Sequence, residues 1–428
     1  MHSTFRIVAV ITFVLSVVVP GGAVWAEPPM GPVTITASNP GDQYTPAVAW
    51  DHEHGNWLAV WEQDVSGVRQ IVGRLVDWSG FPIGYSFFIT DAALDQTDPD
   101  VVYDPGHDRY LVVWTNQFSA TDSDISGRFI PFSGLDPAQL VFGIEFPTSL
   151  QFAPALEYAP SPVDEYFLVW ENVVGFDPST IRAKRLHTDT GSEIGPSFEV
   201  VGDATYQRRK PTVAWNADAG RYLVVYERYQ GSADEDVYAA SVSYSGTVFS
   251  PDLGIAGFTG EENQIDVAAC NGSWMVVWKG GEEPSGEVYA RPVADDLTLG
   301  SIVQPGPAAQ ERQPKVECIP HGVGFFVVWE VTYSDPTGPT GVSGSLMGAD
   351  GAVYDKFAIV GPDAGQTLDY TRPAVSVGDY LNRAFVVWEA DRDGSPALQD
   401  LAGRWVEMAL FADDFETGNT TRWSVTSP

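Results

Sequence analysis

One short apolar string returns seven times along this chain and constrains its fold more than any other feature. Each copy has the form Leu-Val-Val-Trp or a close variant, and the copies end at Trp61, Trp114, Trp170, Tyr226, Trp278, Trp329 and Trp388. The ends are 51 to 59 residues apart. A regular period in this range is typical of repeat architectures, in which each repeat is one unit of secondary structure packed on its neighbours. The chain is therefore interpreted as a repeat protein, so its length alone does not indicate several domains.

Each repeat begins with two strands joined by a short connection. The first strand follows a Pro-x-Val-x-aromatic pattern, as in Pro46–Trp50 and Pro99–Tyr103. The Val-Val-Trp string comes second and is apolar on both faces, as expected of a strand between neighbouring sheets. In the fifth repeat the connection is Asn271-Gly272, which favours a type I′ turn because both central residues need positive φ. The two strands therefore form an antiparallel hairpin.

Two further strands complete most repeats. The third carries a small residue, usually followed by a basic one, as in Gly73-Arg74. The fourth is weaker, Ser301–Gln304 in the fifth repeat, and none follows Arg404 in the seventh. A similar segment, Val33–Thr36, precedes the first repeat. We predict an all-β fold, a seven-bladed β-propeller of four-stranded antiparallel blades, closed by this N-terminal strand. Two β-sandwich domains are the alternative, but they would not explain why the extra strand and the missing one lie at opposite ends.

The propeller is predicted to occupy residues 32–408, between two segments of different character. Residues 1–26 have a basic Arg6, an apolar Ile7–Val19 and small residues before a cleavage point after Ala26, the pattern of a secretory signal peptide. A membrane anchor is the alternative, but the apolar run is shorter than the ~20 residues that a span needs. We predict a secreted or periplasmic protein. Residues 409–428 form a C-terminal tail outside the repeats.

Acidic residues dominate the charged composition. The formal net charge is −34, which disfavours nucleic acid and anionic lipid surfaces as partners. The 44% hydrophobic content disfavours disorder. No segment after the signal peptide is long and apolar enough to span a bilayer. We predict a monomer with neutral, cationic or metal-bridged partners.

The two cysteines, Cys270 and Cys318, lie near the ends of first strands in adjacent repeats. In repeat register Cys270 comes one position later than Cys318, so the two side chains point to opposite faces. Adjacent blades pack opposite faces together, and export permits oxidation. We predict a disulfide between the fifth and sixth blades; two free buried thiols are the alternative.

Acidic connections between second and third strands are candidate metal sites. They include Asp122 and Asp124 in the second repeat and Asp391 and Asp393 in the seventh. Carboxylate oxygens are the ligands that Ca²⁺ prefers, and these spacings are fragments of a calcium loop. Neither fragment is followed by a glutamate at the required distance, so solvated surface loops are the favoured interpretation. Calcium is the one cofactor that the sequence suggests.

Repeated polar residues have structural interpretations as well as functional ones. A glutamine precedes nearly every first strand: Gln43, Gln96, Gln151, Gln207, Gln264, Gln310 and Gln366. An amide ring that binds sugars is one interpretation, and satisfaction of backbone groups at blade junctions is the favoured one. A glutamate follows the aromatic residue in five copies: Glu62, Glu171, Glu227, Glu330 and Glu389. These predict cross-strand ion pairs with the basic residue of the third strand. No catalytic residue is singled out.

The chain resembles the broad class of secreted bacterial β-propellers with Val-Val-Trp repeats, over about residues 32–408. The Phe-x-x-Asp-Phe-Glu-x-Gly pattern starting at Phe411 resembles a short tail at the ends of exported bacterial proteins. Fold does not determine function. The first hypothesis is an exported, non-enzymatic binding module that presents rim loops to a protein or glycan partner. The alternative is a polysaccharide-active hydrolase or lyase with acidic residues at the channel mouth. Charged, non-repeating residues that converge at one end of the channel would indicate the enzyme.

Overall fold

The structure, a computed structural model, is all-β in the part of the chain that it describes. It describes residues 32–36, 41–119, 121–145, 149–175, 177–231, 234–257, 260–281, 286–306, 310–320, 324–333, 338–361, 369–378, 383–392 and 395–407. No helix that could cross a membrane occurs in these residues. The predicted signal peptide, the C-terminal tail and Asp393 lie outside them.

The strands follow the seven repeats, with β1 (Val33–Thr34) preceding them. In repeats 1 to 4 they are β2 (Gln43–Asp51), β3 (Asn56–Val65), β4 (Val68–Asp77), β5 (Pro82–Phe88); β6 (Gln96–Asp104), β7 (Arg109–Ser119), β8 (Asp122–Pro131), β9 (Phe142–Glu145); β10 (Leu150–Ala159), β11 (Glu165–Val173), β12 (Thr180–His187), β13 (Phe198–Val201); β14 (Gln207–Asn216), β15 (Arg221–Tyr229), β16 (Glu235–Ser243) and β17 (Val248–Ala256). In repeats 5 to 7 they are β18 (Glu262–Cys270), β19 (Ser273–Gly280), β20 (Glu287–Ala294); β21 (Glu311–Ile319), β22 (Gly324–Thr332), β23 (Thr340–Met347), β24 (Val353–Val360); β25 (Tyr370–Gly378), β26 (Arg383–Arg392) and β27 (Ser395–Glu407).

Successive strands of each repeat pair in antiparallel fashion, which confirms the predicted four-stranded antiparallel sheets in most repeats. Repeats 2 and 3 are also joined by one parallel pairing, Leu150 with Ser123. In repeat 7 the fourth place is taken by β1, where Val33 pairs with Gly403 and Thr34 with Ala402.

Repeat 5 departs from the four-strand prediction. Its sheet has three strands, and the region predicted as its fourth, Ser301–Gln304, makes only isolated bridges to β20. Pro292, the sixth of the eight residues of β20, has no N–H to donate, so one hydrogen bond to this region is missing. The backbone passes close to Pro292 at Gly300, which donates its N–H to the Pro292 carbonyl at 2.8 Å.

The Val-Val-Trp strands form the core, because each is buried on both faces. In repeat 1, Val60 packs with Trp114 of repeat 2, whereas Trp61 packs in a separate cluster with Val387 of repeat 7. Seven such clusters occur in the described residues, and each combines side chains of two successive repeats. The recurrence of the string therefore reflects packing, since the same apolar residues are required at every junction.

In five repeats a basic residue of the third strand binds the strand that precedes the repeat. Arg128 Nη1 donates to the carbonyl of Ile89 at 2.7 Å. The same bond recurs from Lys184, Arg291 and Arg404 to the carbonyls of Ile144, Ile255 and Ile359, and from Arg74 to that of Ile35. The predicted ion pairs with the glutamates are therefore wrong.

The glutamates after the aromatic residues bind the following repeat instead. Glu62 accepts the backbone N–H of Asp98 at 3.0 Å, and Glu227 accepts that of Gln264 at 2.7 Å. Glu389 accepts the N–H of Thr45 at 2.8 Å, which links repeat 7 to repeat 1. These glutamates and the basic residues that bond to the isoleucine carbonyls face opposite junctions, so the two sets do not pair with each other. Glu62 pairs instead with Arg69, earlier on the third strand, at 2.7 Å.

Replacing Arg128 by methionine is expected to lower the free energy of unfolding by about 1–3 kcal/mol, because the Ile89 carbonyl loses its charged donor. Methionine keeps the apolar stem of the side chain and removes the guanidinium. Urea unfolding followed by tryptophan fluorescence measures the change. The matched control is Arg182→Met, since Arg182 donates to Ser197 within its own repeat. Equal losses in the two variants would contradict a role for the junction bond.

Candidate active site

A cavity of about 560 Å³ is walled by the first strands of all seven repeats. Its lining starts at the level of Pro46 and continues past the strand ends to His52, Pro105 and Pro160, which belong to the first-to-second-strand turns. We call the edge formed by these turns the hairpin rim. The acidic second-to-third-strand connections lie at the opposite edge, because each second strand runs back along the first. The turn residues that line the cavity therefore lie at the edge opposite the predicted metal candidates.

Charged side chains line this cavity at positions that do not repeat. At the second position of the first-strand pattern they are Asp100, Asp266 and Lys315, where the other repeats have Ala47, Ala155, Thr212 and Ala374. At the fourth position they are Glu157 and Glu317, where the other repeats have Ala49, Val102, Ala214, Ala268 and Ser376. The two positions lie on one face of the strand, because side chains alternate with period two. This is the asymmetry expected of the enzyme alternative.

Asp266 and Lys315 form an ion pair at the deep end of the cavity. The Nζ atom of Lys315 lies 3.6 Å from Oδ1 of Asp266. Oδ2 of Asp266 accepts the backbone N–H of Val316 at 2.9 Å, and Thr212 Oγ1 donates to Oδ1 at 3.3 Å. The carboxylate is thus held by donors from repeats 4 and 6.

Asp100 occupies the equivalent place in repeat 2. Its Oδ2 accepts the N–H of Leu156 at 2.7 Å, the same bond to the next repeat that Asp266 makes to Val316. Burial raises the pKa of Asp100 to about 6, and the backbone donors and Lys315 oppose that rise. The Asp100 carboxyl group therefore titrates closer to neutral pH than an ordinary aspartate does.

Glu317 keeps its proton at neutral pH, and the pKa of Glu157 is shifted in the same direction. Burial raises the pKa of Glu317 to about 8, and the charge of Asp266 contributes to the rise. Burial likewise raises the pKa of Glu157 well above its ordinary value, with Glu317 and Asp100 as further causes. Both side chains are half-buried, because they touch the cavity while lying deep among the seven strands. The site thus places a protonated Glu317 near the Asp266–Lys315 ion pair.

Aromatic residues form one side of the cavity near the hairpin rim. Trp50, Tyr103, Tyr158 and Trp215 of repeats 1 to 4 line it, whereas repeats 5 to 7 contribute the smaller Ala269, Cys318 and Val377. Trp50 is backed by Trp57 with ring centroids 4.4 Å apart, and Trp215 by Tyr222 at 4.7 Å. We call Trp50, Tyr158 and Trp215, which are only partly buried, the aromatic wall.

The predicted disulfide is confirmed. Cys270 and Cys318 are bonded with an S–S distance of 2.07 Å and join repeats 5 and 6. Cys318 lines the cavity and Cys270 packs in the core between the two repeats. The bridge forms because the one-position offset directs the two side chains toward the same junction.

The candidate calcium ligands do not form a cluster in the described part of the chain. Asp124 is buried, and burial first, then Asp122 and Glu145, raise its pKa to about 6. Burial and the charge of Asp369 raise the pKa of Asp391. A calcium site at these residues stays a prediction.

A different group of residues has metal-compatible geometry. Asp51, His54 and Asp108 each offer a ligand atom, and these atoms lie within 4.8 Å of one another. Asp51 is already engaged, because it accepts the N–H groups of Glu53 and His54 and contacts His54 Nδ1 at 2.9 Å. The turn of repeat 2 has the same aspartate–histidine contact at 2.9 Å. The cluster is therefore explained as turn structure.

The glutamines before the first strands are buried or partly buried in the described residues, outside which Gln366 lies. Gln207, Gln264 and Gln310 are partly buried. Gln43, Gln96 and Gln151 are at most 1% exposed. Gln96 Oε1 accepts the indole N–H of Trp114 at 2.7 Å, and Gln151 Oε1 accepts the N–H of Ile125 at 3.2 Å. These contacts agree with the structural interpretation and not with a sugar-binding ring.

Sequence reasoning missed the five charged residues of the cavity. They stand at variable positions of an otherwise regular strand pattern, so a comparison of the seven copies position by position would have found them. The densest acidic runs lie in the connections between strands, where side chains are exposed to solvent. The charged residues of the cavity form no such run, because they lie in different repeats or, like Lys315 and Glu317, are separated by an apolar residue.

No protein-family model matches the chain, and neither does any curated protein. Solved structures do match. The polysaccharide lyase Uly1 has a TM-score of 0.53 at 9% identity, covering 86% of this chain and 90% of that one. The β-propeller domain of the Trilobed protease from Pyrococcus furiosus gives 0.50 at 10%, covering 87% and 99%. A puromycin hydrolase gives 0.52 at 14%, covering 87% of this chain and 56% of its own. At these identities the similarity shows the fold alone, which is of the β-propeller type.

Two findings contradict the hypothesis of a non-enzymatic binding module. Two of these three similar structures are enzymes, and the propeller domain of the third comes from a protease. The cavity carries charged residues that break the repeat symmetry, which a symmetric scaffold would lack. The alternative, a polysaccharide-active enzyme, is the hypothesis that is retained.

Proposed function

We propose that this protein is a polysaccharide-active enzyme that hydrolyses glycosidic bonds in the central cavity. The observation that carries the proposal is the pairing of a protonated Glu317 with the charged Asp266–Lys315 pair in one enclosed site. The similarity in fold to a polysaccharide lyase is consistent with a carbohydrate substrate.

Glycoside hydrolysis requires two carboxyl groups in different protonation states. One protonates the leaving oxygen, and the other acts as an ionised nucleophile or as a base for water. Glu317 is assigned the general acid, because it keeps its proton at neutral pH. Asp266 is assigned the ionised role, because Val316 and Lys315 stabilise its charge. Different environments of two nearby carboxyls are the usual means of separating these roles.

Hydrolysis of a neutral polymer fits the charge of the protein better than elimination on a polyuronate. The net charge of −34 repels a polyanionic chain. Elimination also needs a cation to neutralise the uronate group, and among the described lining residues the lysine, Lys315, is already paired with Asp266. Aromatic side chains at the cavity edge suit the apolar faces of neutral sugar rings.

We further infer the architecture that holds this site. The seven repeats are the blades of one ring over residues 32–408, and β1 supplies the outer strand of the last blade. The Arg74–Ile35 bond supports this, because it matches the Arg128–Ile89 bond one repeat later. Residues 1–26 direct export, so the enzyme acts outside the cytoplasm on extracellular or periplasmic glycans. The disulfide is consistent with that location.

The purified mature chain is expected to release reducing ends from at least one neutral polysaccharide in a panel of β-glucan, xylan, mannan and arabinan. The activity should persist up to about pH 8 and fall above it, because the acid must be protonated and burial raises the pKa of Glu317 to about 8. Reducing-sugar release measured across pH tests both statements. Alginate and pectate serve as polyanionic controls. Unsaturated products from the controls alone would indicate a lyase, and no release from any polymer would contradict the proposal.

A further inference from the structure

We infer that the enzyme acts from chain ends, binding a terminal sugar in the cavity and releasing short products. This inference rests on the proposed function, and it concerns how the substrate enters the site. It follows from the shape of the cavity and from the distribution of aromatic and charged residues along its depth.

The cavity is enclosed around its whole circumference. All seven first strands contribute lining residues, so no side is left open for a polymer to lie across the site. Hydrogen bonds to the next repeat reinforce two junctions of this wall, from Leu156 to Asp100 and from Val316 to Asp266. A polysaccharide that is cut in its interior must leave the site on both sides of the reacting bond. Such a chain has no lateral path here, whereas a chain end can enter along the axis.

The cavity is also short. Among the described residues the lining runs from Pro46, at the start of the first-strand pattern, to the turns of the hairpin rim, and it includes none of the buried glutamines that begin the first strands. The volume of about 560 Å³ lies within the ~300–1,000 Å³ typical of small-molecule sites. It therefore accommodates a few sugar rings and not an extended polymer.

The two levels of the cavity have different chemistry. The aromatic wall lies nearest the hairpin rim, and Glu157 and Glu317 come one residue earlier on their strands, next to Tyr158 and Cys318. An entering sugar thus meets aromatic faces before it reaches the acids. Repeats 5 to 7, with Ala269 and Val377, leave space opposite the wall for the rest of the chain. A stacked ring beside protonated and charged carboxyls is the arrangement that a terminal subsite requires.

The test uses the wild-type protein on the neutral polysaccharide that it hydrolyses. Viscosity and reducing ends are followed together, and a hexasaccharide labelled at its reducing end is digested in parallel. We expect mono- or disaccharides from the first time points, with viscosity falling slowly. A ladder of intermediate products with an immediate fall in viscosity would overturn the chain-end inference and leave hydrolysis intact. No product at all would instead overturn the proposed function on which the inference rests.

A variant tests the aromatic wall as the terminal subsite. Trp215→Val introduces the residue found at the equivalent position, Val377, so the strand pattern tolerates it. We expect KM to rise about two- to tenfold with a smaller change in kcat, because the variant removes one aromatic stacking contact. The control Tyr85→Ala removes a side chain that is 92% exposed outside the cavity and should leave KM unchanged. An unchanged KM in Trp215→Val would contradict the subsite, and Trp50→Val provides the same test if that variant does not fold.

Discussion

Glutamine in place of Glu317 is expected to lower kcat/KM by about 10²–10⁴-fold on the neutral polysaccharide, which is the usual contribution of a general acid. Glutamine has nearly the shape of the protonated acid and cannot transfer the proton. The loss should appear in kcat, because the amide still fills the cavity wall. The matched control is Glu199→Gln, at an exposed position of β13 outside the cavity, which should keep wild-type rates. Retained activity in Glu317→Gln would remove Glu317 from the mechanism.

The pH dependence of the stability of Glu317→Gln distinguishes loss of the general acid from a folding defect. The raised pKa means that native Glu317 keeps its proton until about pH 8, while the unfolded chain releases it near ~4.3. The native state therefore binds more protons between these values, and wild-type stability falls as pH rises through them. The Glu317→Gln variant lacks the titrating carboxyl group, so this contribution to the decline in stability is absent. The melting temperature of Glu317→Gln relative to wild type should be higher at pH 8 than at pH 4. An equal loss at both pH values would indicate a structural defect.

Removal of the disulfide by Cys270→Ser with Cys318→Ser is expected to cost roughly 4 kcal/mol, because the bond closes a loop between residues 48 apart in sequence. For a folded region of this length, that cost lowers the melting temperature by about 5 °C. Thermal unfolding of wild type and variant, each with and without reductant, measures the effect. Reductant should destabilise wild type alone.

The disulfide also bears on the cavity, since Cys318 is one of its lining residues. The reduced protein is therefore expected to lose activity at temperatures below its unfolding transition, where the junction of repeats 5 and 6 loosens first. A reduced protein with unaltered stability would show that packing in the cluster around Cys270 and Val316 suffices to hold this junction.

The repeats and the disulfide could be predicted because they depend on local and periodic requirements. A strand between two sheets must be apolar on both faces, so Val60, Trp61 and their equivalents recur with the period of the fold. The cysteine offset could likewise be read from strand alternation. The missing fourth strand of repeat 5 was not anticipated, although Pro292 in the partner strand removes one hydrogen-bond donor.

The candidate site could not be predicted in the same way. The ion pairs proposed for the repeated glutamates were wrong, since the sequence does not show which face of a strand meets which neighbouring repeat. Glu62 and Arg74 stand on adjacent strands, yet they bind different repeats. The acidic connections were predicted as metal candidates because of their charge density, although they lie at the edge opposite the hairpin rim.

The amino-acid sequence alone determined the repeat number, the strand order within a repeat, the core residues and the disulfide, because short-range patterns encode each of them. Only the tertiary structure decided that Asp100, Glu157, Asp266, Lys315 and Glu317 share one cavity. The five residues span more than two hundred positions, and they converge because seven strands surround one axis. The altered acidity of three of them has the same origin, since burial within that ring is the main cause of the raised pKa values of Asp100, Glu157 and Glu317.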